Sequence, residues 1–167
     1  MNNACKILFV LTTYFLFACS KNKSTPIDPG DVYLTYKVDG VAVLYKGTAA
    51  GQFQEGVIGI KLTDIPTRYV IEAVKGTTNA ITLGITTDSL TTNNYVADSV
   101  FSLIVENGHV KGVYNKSQVL NISITRYSSG TIDGTFSGKI YAFDIATSHY
   151  DSFTLTDGAF KNVEILY

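Results

Sequence analysis

Apolar and polar residues alternate with a period of two along most of the chain after residue 30. The alternation is clear in residues 32–38, 58–62, 81–86, 101–105 and 120–125. Successive side chains of a β-strand point to opposite faces, whereas a helix repeats every 3.6 residues. The pattern therefore predicts strands with one buried face, and it indicates no helix beyond residue 18.

Turn dipeptides separate these runs. Asp39-Gly40, Asn107-Gly108, Ser129-Gly130 and Asp157-Gly158 supply residues that tolerate the positive φ angles of tight hairpin turns. Frequent short strands joined by hairpins are typical of antiparallel sandwiches and barrels. We predict an all-β fold, an antiparallel β-sandwich of about ten short strands, with a β-barrel as the alternative.

Two stretches depart from this simple alternation. Residues 87–94 are polar except for Leu90 and predict a loop. Gly138 follows the apolar positions Ile132 and Phe136, and the apolar phase then moves to Tyr141. A glycine inside a strand often marks a bulge, so we expect one at Gly138.

The N-terminus carries a different pattern. Residues 7–18 are almost wholly apolar, but the run is shorter than the ~20 residues that cross a bilayer as a helix. A basic start, a short apolar run and a small residue before the cleavage point describe a secretory signal, which we expect to be helical. Leu16-Phe17-Ala18-Cys19 resembles the lipobox of bacterial lipoproteins.

That resemblance implies lipidation of Cys19 and cleavage before it. The thiol would receive a diacylglycerol and the new amine an acyl chain, with palmitate expected, and two or more chains anchor a protein stably. The chain then divides into a signal peptide (1–18), the lipidated Cys19 with a flexible linker (19–30) and one all-β domain (31–167). Because Ser20 to Lys23 is basic and lacks acidic residues, we predict the outer membrane, periplasmic face, with the cell surface as the alternative.

Charge and cysteine content narrow the possible partners. The formal net charge is −1, and the basic residues are scattered along the domain. Nucleic-acid binding needs a basic stripe, so we expect no nucleic-acid partner. Cys5 lies in the predicted signal peptide, which leaves Cys19 without a disulfide partner. The membrane anchor at Cys19 is the one partner that these residues define.

Candidate metal ligands are few, and the sequence predicts no metal and no cofactor. His109 follows the Asn107-Gly108 turn, where an exposed residue is expected. His149 lies near Asp144 and Asp151, but a zinc site needs three or four firmly held ligands.

Catalytic motifs are also lacking, and we predict that the protein is not an enzyme. Ser137 is not part of a Gly-x-Ser-x-Gly elbow. Glu72 falls in the middle of a predicted strand, on the side expected to face solvent. The acids expected in turns are Asp39, Asp64, Asp133 and Asp157. A pair of acids in one pocket would favour a hydrolase, since glycosidases use two carboxylates.

Two further features are candidate sites. Four aromatic residues around residues 144–152 could form a sugar platform, although core packing also explains them: Tyr141, Phe143, Tyr150 and Phe153. Asp88-Ser89-Leu90 and Asp98-Ser99-Val100 resemble the Asp-Ser/Thr-aliphatic motif of O-glycosylation in Bacteroidota. Ser89 and Ser99 are therefore the predicted modification sites.

The C-terminal half resembles a group of small, uncharacterised Bacteroidota lipoproteins. The likeness rests on the ISITRY run at 122–127, the IDGTFSG run at 132–138 and the FTLTDGAF run at 153–160. Val38-Asp39-Gly40 matches the opening strand of that group, although Leu44-Tyr45 stands where a Trp is usual. The resemblance implies a lipid-anchored β-domain with a closing hairpin, and it implies no activity.

The sequence thus predicts a lipid-anchored, non-enzymatic envelope domain. Its expected partner is an envelope protein or a glycan, and the ligand-binding residues are not identified. The alternatives are a purely structural envelope lipoprotein and a hydrolase with a dispersed carboxylate site.

Overall fold

The computed structural model describes residues 30–51, 54–63, 66–98, 103–106, 109–113, 120–144 and 149–167. The predicted signal peptide, Cys19 and the linker up to residue 29 lie outside the described residues. Within them all regular structure is strand and none is helix. The strands are β1 (Tyr33–Val38), β2 (Val41–Lys46), β3 (Gly56–Leu62), β4 (Arg68–Lys75), β5 (Asn79–Thr86), β6 (Asn94–Val96), β7 (Leu103–Glu106), β8 (His109–Val113), β9 (Asn121–Ser128), β10 (Thr131–Asp144) and β11 (His149–Leu166).

The strands form a mixed sheet that folds into two layers. One layer has the order β2-β1-β11-β10-β9-β6, and the other has the order β3-β4-β5-β7-β8. They join at two corners: the end of β11 pairs with β3 through two residue pairs, and β10 pairs with β8 at Tyr141 and Val113 among the described residues. The sheet does not close into a barrel, and the predicted β-sandwich is confirmed.

The core fills the space between the layers. Alternate residues from both layers form one apolar cluster, as the period of two predicts. Its fully buried members include Leu34, Val57, Ile71, Ile81, Ile122, Ile132 and Val163. Apolar burial contributes about 25 cal/mol per Å², so this cluster is the main source of the stability of the fold.

Two predicted hairpins are confirmed by their backbone angles. Asp39 and Gly40 have φ angles of 47° and 86°, and Ser129 and Gly130 have φ angles of 52° and 77°. Positive φ at both central residues defines the type I′ turn, whose twist matches that of the flanking strands. The predicted Asn107-Gly108 turn lies outside the described residues.

The predicted turn at Asp157-Gly158 is wrong, because β11 runs through it. Asp157 has a φ of 52°, but the strand absorbs it as a bulge opposite the register shift between Phe136 and Gly138 on β10. A Cβ at Gly158 would collide with the Phe136 ring and carbonyl oxygen. Gly158 is therefore required by close strand packing and not by chain reversal.

The bulge expected at Gly138 is confirmed, but the extra residue lies on β11. Residues 136 and 138 of β10 pair with residues 158 and 155 of β11. The core position after Gly138 is Ile140, which is buried, while Tyr141 is half-buried. The expected change of apolar phase to Tyr141 is therefore wrong.

Glu72 is buried, which corrects its predicted position on the solvent face. It lies on the side of β4 opposite to the core-facing Ile71, yet it is only 2% exposed. Ile58, its partner on β3, is also buried. The outer face of the layer that contains β3 and β4 is therefore covered at Glu72. In a sandwich whose outer faces are fully exposed to solvent, the Glu72 side chain would contact water.

Candidate functional site

The interior of the sandwich changes from apolar to polar at one end. Three polar residues lie two positions from a core-facing residue and on the same face of its strand. They are Lys75 after Ala73 on β4, Asn79 before Ile81 on β5, and Glu106 after Ile104 on β7. Adjacent strands bring these three side chains to the same end of the core. Since inward positions are normally apolar, three polar ones together indicate an opening and not a sealed core.

The opening has the form of a wedge beside β2. A bridge between Thr48 and Val57 joins the chain after β2 to β3, with Val57 N–H donating to the Gly47 carbonyl at 2.8 Å. β2 runs from the Asp39-Gly40 hairpin to this junction, and the opening lies between β2 and the adjacent ends of β4, β5 and β7. A cavity of about 430 Å³ lies in the wedge, which we call the mouth cavity. Ligand pockets typically measure ~300–1,000 Å³.

Apolar and polar groups share the wall of the mouth cavity. Its lining residues are Tyr36, Val38, Asp39, Val41, Ala42, Val43, Leu44, Tyr45, Lys75, Asn79, Ile104, Val105 and Glu106. An apolar wall with a few convergent polar groups is the usual composition of a binding pocket.

Two tyrosines form its floor. Tyr36 and Tyr45 are 2% and 3% exposed, and their rings stack with centroids 6.3 Å apart. Burial raises the pKa of both hydroxyls, and the neighbouring hydroxyl of Tyr45 raises the pKa of Tyr36 further. The negative charge of Glu106 acts in the same direction on both. Both hydroxyls therefore stay protonated at neutral pH and offer neutral hydrogen-bonding groups at the floor.

The charged groups at the rim differ in how firmly they are held. Asp39 accepts a hydrogen bond from Thr154 N–H at 2.9 Å, and its own N–H donates to the Thr154 carbonyl at 3.1 Å. That carboxylate fastens the β1–β2 hairpin to β11. Lys75 is exposed and makes no ion pair with a described residue, so its ammonium is the cation that a ligand would meet.

A second hollow of about 410 Å³ lies on the other side of β2. It is lined by Ala42, Leu44, Tyr45, Lys46, Glu55, Val74 and Lys75. Ala42, Leu44, Tyr45 and Lys75 line both spaces, which places the mouth cavity and this outer hollow on either side of one strand edge.

The predicted modification sites are not part of this arrangement. Cys19 and Ser99 lie outside the described residues. Ser89 is exposed in the β5–β6 connection, where its carbonyl accepts a hydrogen bond from the Thr87 hydroxyl at 3.0 Å. The buried Leu90 anchors the loop beside it, so the hydroxyl of Ser89 is accessible to an enzyme.

The histidines and aromatic residues are dispersed. His109 opens β8, and its side chain is outside the described part; His149 is exposed at the start of β11. Tyr150 is 63% exposed, while Phe153 packs against the core. Tyr141 is half-buried, and nothing is described of the Phe143 side chain. The register of β10 and β11 places Tyr141 and Tyr150 on one face of the strand pair and Phe153 on the other.

The acidic residues predicted in turns have structural contacts. Asp133 lies within β10 and pairs with Arg126 at 2.7 Å, and Asp157 lies within β11 and pairs with Lys37 at 2.7 Å. Of that set, Asp39 alone is described in a turn, and Asp64 is outside the described residues. Across the described ranges, no three His, Cys, Asp or Glu side chains are grouped to hold a metal ion.

Sequence analysis missed Lys75, Asn79 and Glu106 as site residues. The alternation of side chains along a strand could have identified them. Each is the terminal residue of its strand and lies two residues from a core-facing apolar residue, so its side chain points to the same face. Their convergence depends on the pairing of β4 with β5 and of β5 with β7, which a single strand pattern does not encode.

Fold and site together define a β-sandwich domain with a pocket at the open end of its core. No family model matches the chain, and comparisons with curated proteins and with solved structures also find no match. Within the part of the chain that is described, no helix has the length and apolar character to cross a membrane.

Proposed function

We propose that this protein is a lipid-anchored envelope domain that binds a ligand without chemical turnover. The mouth cavity carries the proposal, because it combines an apolar wall, neutral tyrosine hydroxyls and the accessible Lys75 in one open cavity. Preformed pockets of this kind bury most of a small ligand and fix its orientation through a few polar groups. The partner class is an envelope protein or a glycan.

The anchor in this proposal is Cys19, and the lipobox and the resemblance to small Bacteroidota lipoproteins support it. We place the domain at the outer membrane, facing the periplasm, with the cell surface as the alternative. The linker up to Gly30 precedes β1, which begins at Tyr33, so it connects the lipid to the layer that supplies the apolar wall of the mouth cavity.

Replacing Cys19 tests the anchor. Cys19→Ser removes the thiol that would accept diacylglycerol, and we expect a soluble or unprocessed protein in place of a membrane-bound mature form. Membrane fractionation with mass spectrometry of the N-terminus checks this outcome, and Cys5→Ser is the matched control. A cleaved Cys19→Ser protein that stays with the membrane would exclude lipid anchoring.

Site-specific photocrosslinking tests binding at the mouth cavity. A photoreactive amino acid at Val41, which is 68% exposed on the cavity rim, should form an adduct in the native host. The same group at Glu164, exposed near the far end of β11, should not form that adduct. Equal labelling at both positions, or none at Val41, contradicts a ligand site at the mouth cavity.

A hydrolase is the second candidate, since two carboxylates, Asp39 and Glu106, line the mouth cavity. Paired carboxylates are the requirement of glycoside hydrolysis. Asp39 is engaged by Thr154 in the hairpin, which favours binding over catalysis. Release of new reducing ends from envelope glycans by the purified protein would favour the hydrolase.

A further inference from the structure

The outer edge of β2 presents backbone hydrogen-bonding groups to the wedge. Val32 accepts from Gly47 N–H at 2.9 Å, and the β1–β2 pairing keeps one register from there to the Asp39-Gly40 turn. Directly opposed pairs alternate between hydrogen-bonded and non-hydrogen-bonded along an antiparallel ladder. Ala42 and Leu44 fall in non-hydrogen-bonded pairs, so their N–H and C=O groups point away from β1.

No other described strand pairs with this edge of β2, which ends the strand order of its layer. An open edge is a template for an added strand, and natural proteins usually block such edges. After β2 the chain joins β3 of the other layer through the Thr48–Val57 bridge, and the open edge of β2 ends there. A strand that enters the wedge from the hairpin side must therefore end near that bridge.

The spaces on either side of the edge match the geometry of a strand. Successive side chains of a strand point to opposite faces. A strand added to Ala42 and Leu44 would direct one side chain into the mouth cavity and the next toward the outer hollow. The apolar wall formed by Val38, Val41 and Val43 selects an apolar side chain for the mouth cavity.

The charged side chains around the two spaces determine which terminus of a bound peptide lies next to the Thr48–Val57 bridge. Lys75 lines both spaces, and Lys46, whose ammonium lies 3.7 Å from an Asp31 carboxylate oxygen, lines the outer hollow near the bridge. Two ammonium groups favour a carboxylate there over a terminal ammonium. Glu55 is the acid that borders the outer hollow, whereas two acids, Asp39 and Glu106, line the mouth cavity. The favoured position for the carboxylate is therefore on the side of the outer hollow, where Lys75 is also present.

We infer that the edge of β2 binds the free C-terminus of an extended peptide as an added strand parallel to β2. An apolar side chain of the peptide enters the mouth cavity, and the terminal carboxylate pairs with Lys75. This is recognition by β-augmentation, in which main-chain hydrogen bonds give affinity and side pockets give specificity. The inference rests on the proposed binding role and names its ligand class.

The probe is a synthetic library of short random peptides with free C-termini, screened against full-length lipidated protein in detergent micelles. Peptides that bind are resynthesised with a free and with an amidated C-terminus, and their Kd values are measured by fluorescence polarisation. We expect amidation and Lys75→Gln each to weaken binding by about tenfold.

Ala42→Pro is the variant that separates strand addition from other modes of binding. Proline removes the outward N–H of residue 42 and leaves the ladder with β1 intact, as edge strands tolerate. Ala42→Val adds similar bulk and keeps the N–H, so it is the matched control. We expect about tenfold weaker binding for Ala42→Pro, the loss of one backbone hydrogen bond, and little change for Ala42→Val.

Several outcomes overturn the inference. One is that no peptide prefers the wild type to Ala42→Pro, with circular dichroism showing that both are folded. Another is that amidated peptides bind as tightly as peptides with a free C-terminus. A third is that Lys75→Gln leaves the Kd unchanged, and this result does not depend on the folding of Ala42→Pro. If Val41 still crosslinks to a native ligand, such as a glycan, the proposed binding role survives while the peptide inference fails.

Discussion

The carboxylate of Asp133 makes three hydrogen bonds with described residues. It accepts hydrogen bonds from Arg126 Nε and Nη2, both at 2.7 Å, and from Asn162 N–H at 2.7 Å. Arg126 Nη2 also donates to the Asn162 side chain at 2.8 Å. The cluster links β9, β10 and β11, and it stabilises the backbone of Asn162, whose φ is 53°.

These hydrogen bonds, first of all those from Arg126, lower the pKa of Asp133 below its ordinary value. A carboxyl whose pKa is lower in the folded state stabilises the fold at pH values above its unfolded pKa of about 3.9. That contribution is lost as the pH falls through the folded pKa.

We therefore expect Asp133→Asn to flatten the acid limb of the stability profile. The free energy of unfolding of the wild type should fall between about pH 5 and pH 2, and that of Asp133→Asn should fall less steeply. Urea unfolding at a series of pH values measures this. Asp151→Asn is the matched control, since Asp151 is exposed on β11 and makes no ion pair with a described residue. An unchanged slope in Asp133→Asn would show that the cluster does not contribute.

At the scale of elements, glycines set how closely the strands approach. A Cβ at Gly134 would meet the Phe160 ring of β11 and the Ser123 carbonyl oxygen of β9. The carbonyl oxygen belongs to the strand pairing and cannot move aside as a flexible side chain would. Gly134 thus lets the Phe160 ring lie across β10 at the centre of the first layer.

Gly134→Ala should therefore destabilise the domain by about 2–3 kcal/mol, in the range of overpacked cores. Gly51→Ala is the control, because its added Cβ would lie 3.7 Å from the nearest atom of Gln54, an ordinary contact. We expect the control to stay within about 0.5 kcal/mol of wild type. Chemical denaturation of both variants measures the difference, and equal stabilities would contradict the packing argument.

The strands with simple alternation could be predicted from sequence, while β11 could not. Its core residues Leu155, Phe160, Val163 and Ile165 do not share one parity, because bulges at Asp157 and Asn162 each insert an extra residue. A pattern of period two breaks at each bulge, and the break beside Asp157-Gly158 is indistinguishable in sequence from a turn. The three-residue strand β6 was also missed, since its residues Asn94 to Val96 are too few to show a period.

At the scale of the whole molecule, pairing between distant segments decides both the fold and the site. The sequence predicted an all-β sandwich, but the parallel pairing of β11 with β3 depends on contacts more than 100 residues apart. The mouth cavity has the same origin: β1 and β2 supply its apolar wall, and β4, β5 and β7 supply Lys75, Asn79 and Glu106. Local sequence patterns predict which face of a strand a residue occupies, but they do not predict which distant strands meet at the cavity.

The placement of β11 has a consequence for how such a chain reaches its destination. β11 is the last of the described strands in the sequence, yet it pairs with β1, β3 and β10. Until β11 has been synthesised, the first layer lacks the strand that joins β1 to β10, and long-range strand pairing is slow to form. A chain built in this order stays open while the ribosome is still extending it. For a protein exported as we propose, that delay keeps the chain threadable through a secretion channel, and folding completes on the far side of the membrane.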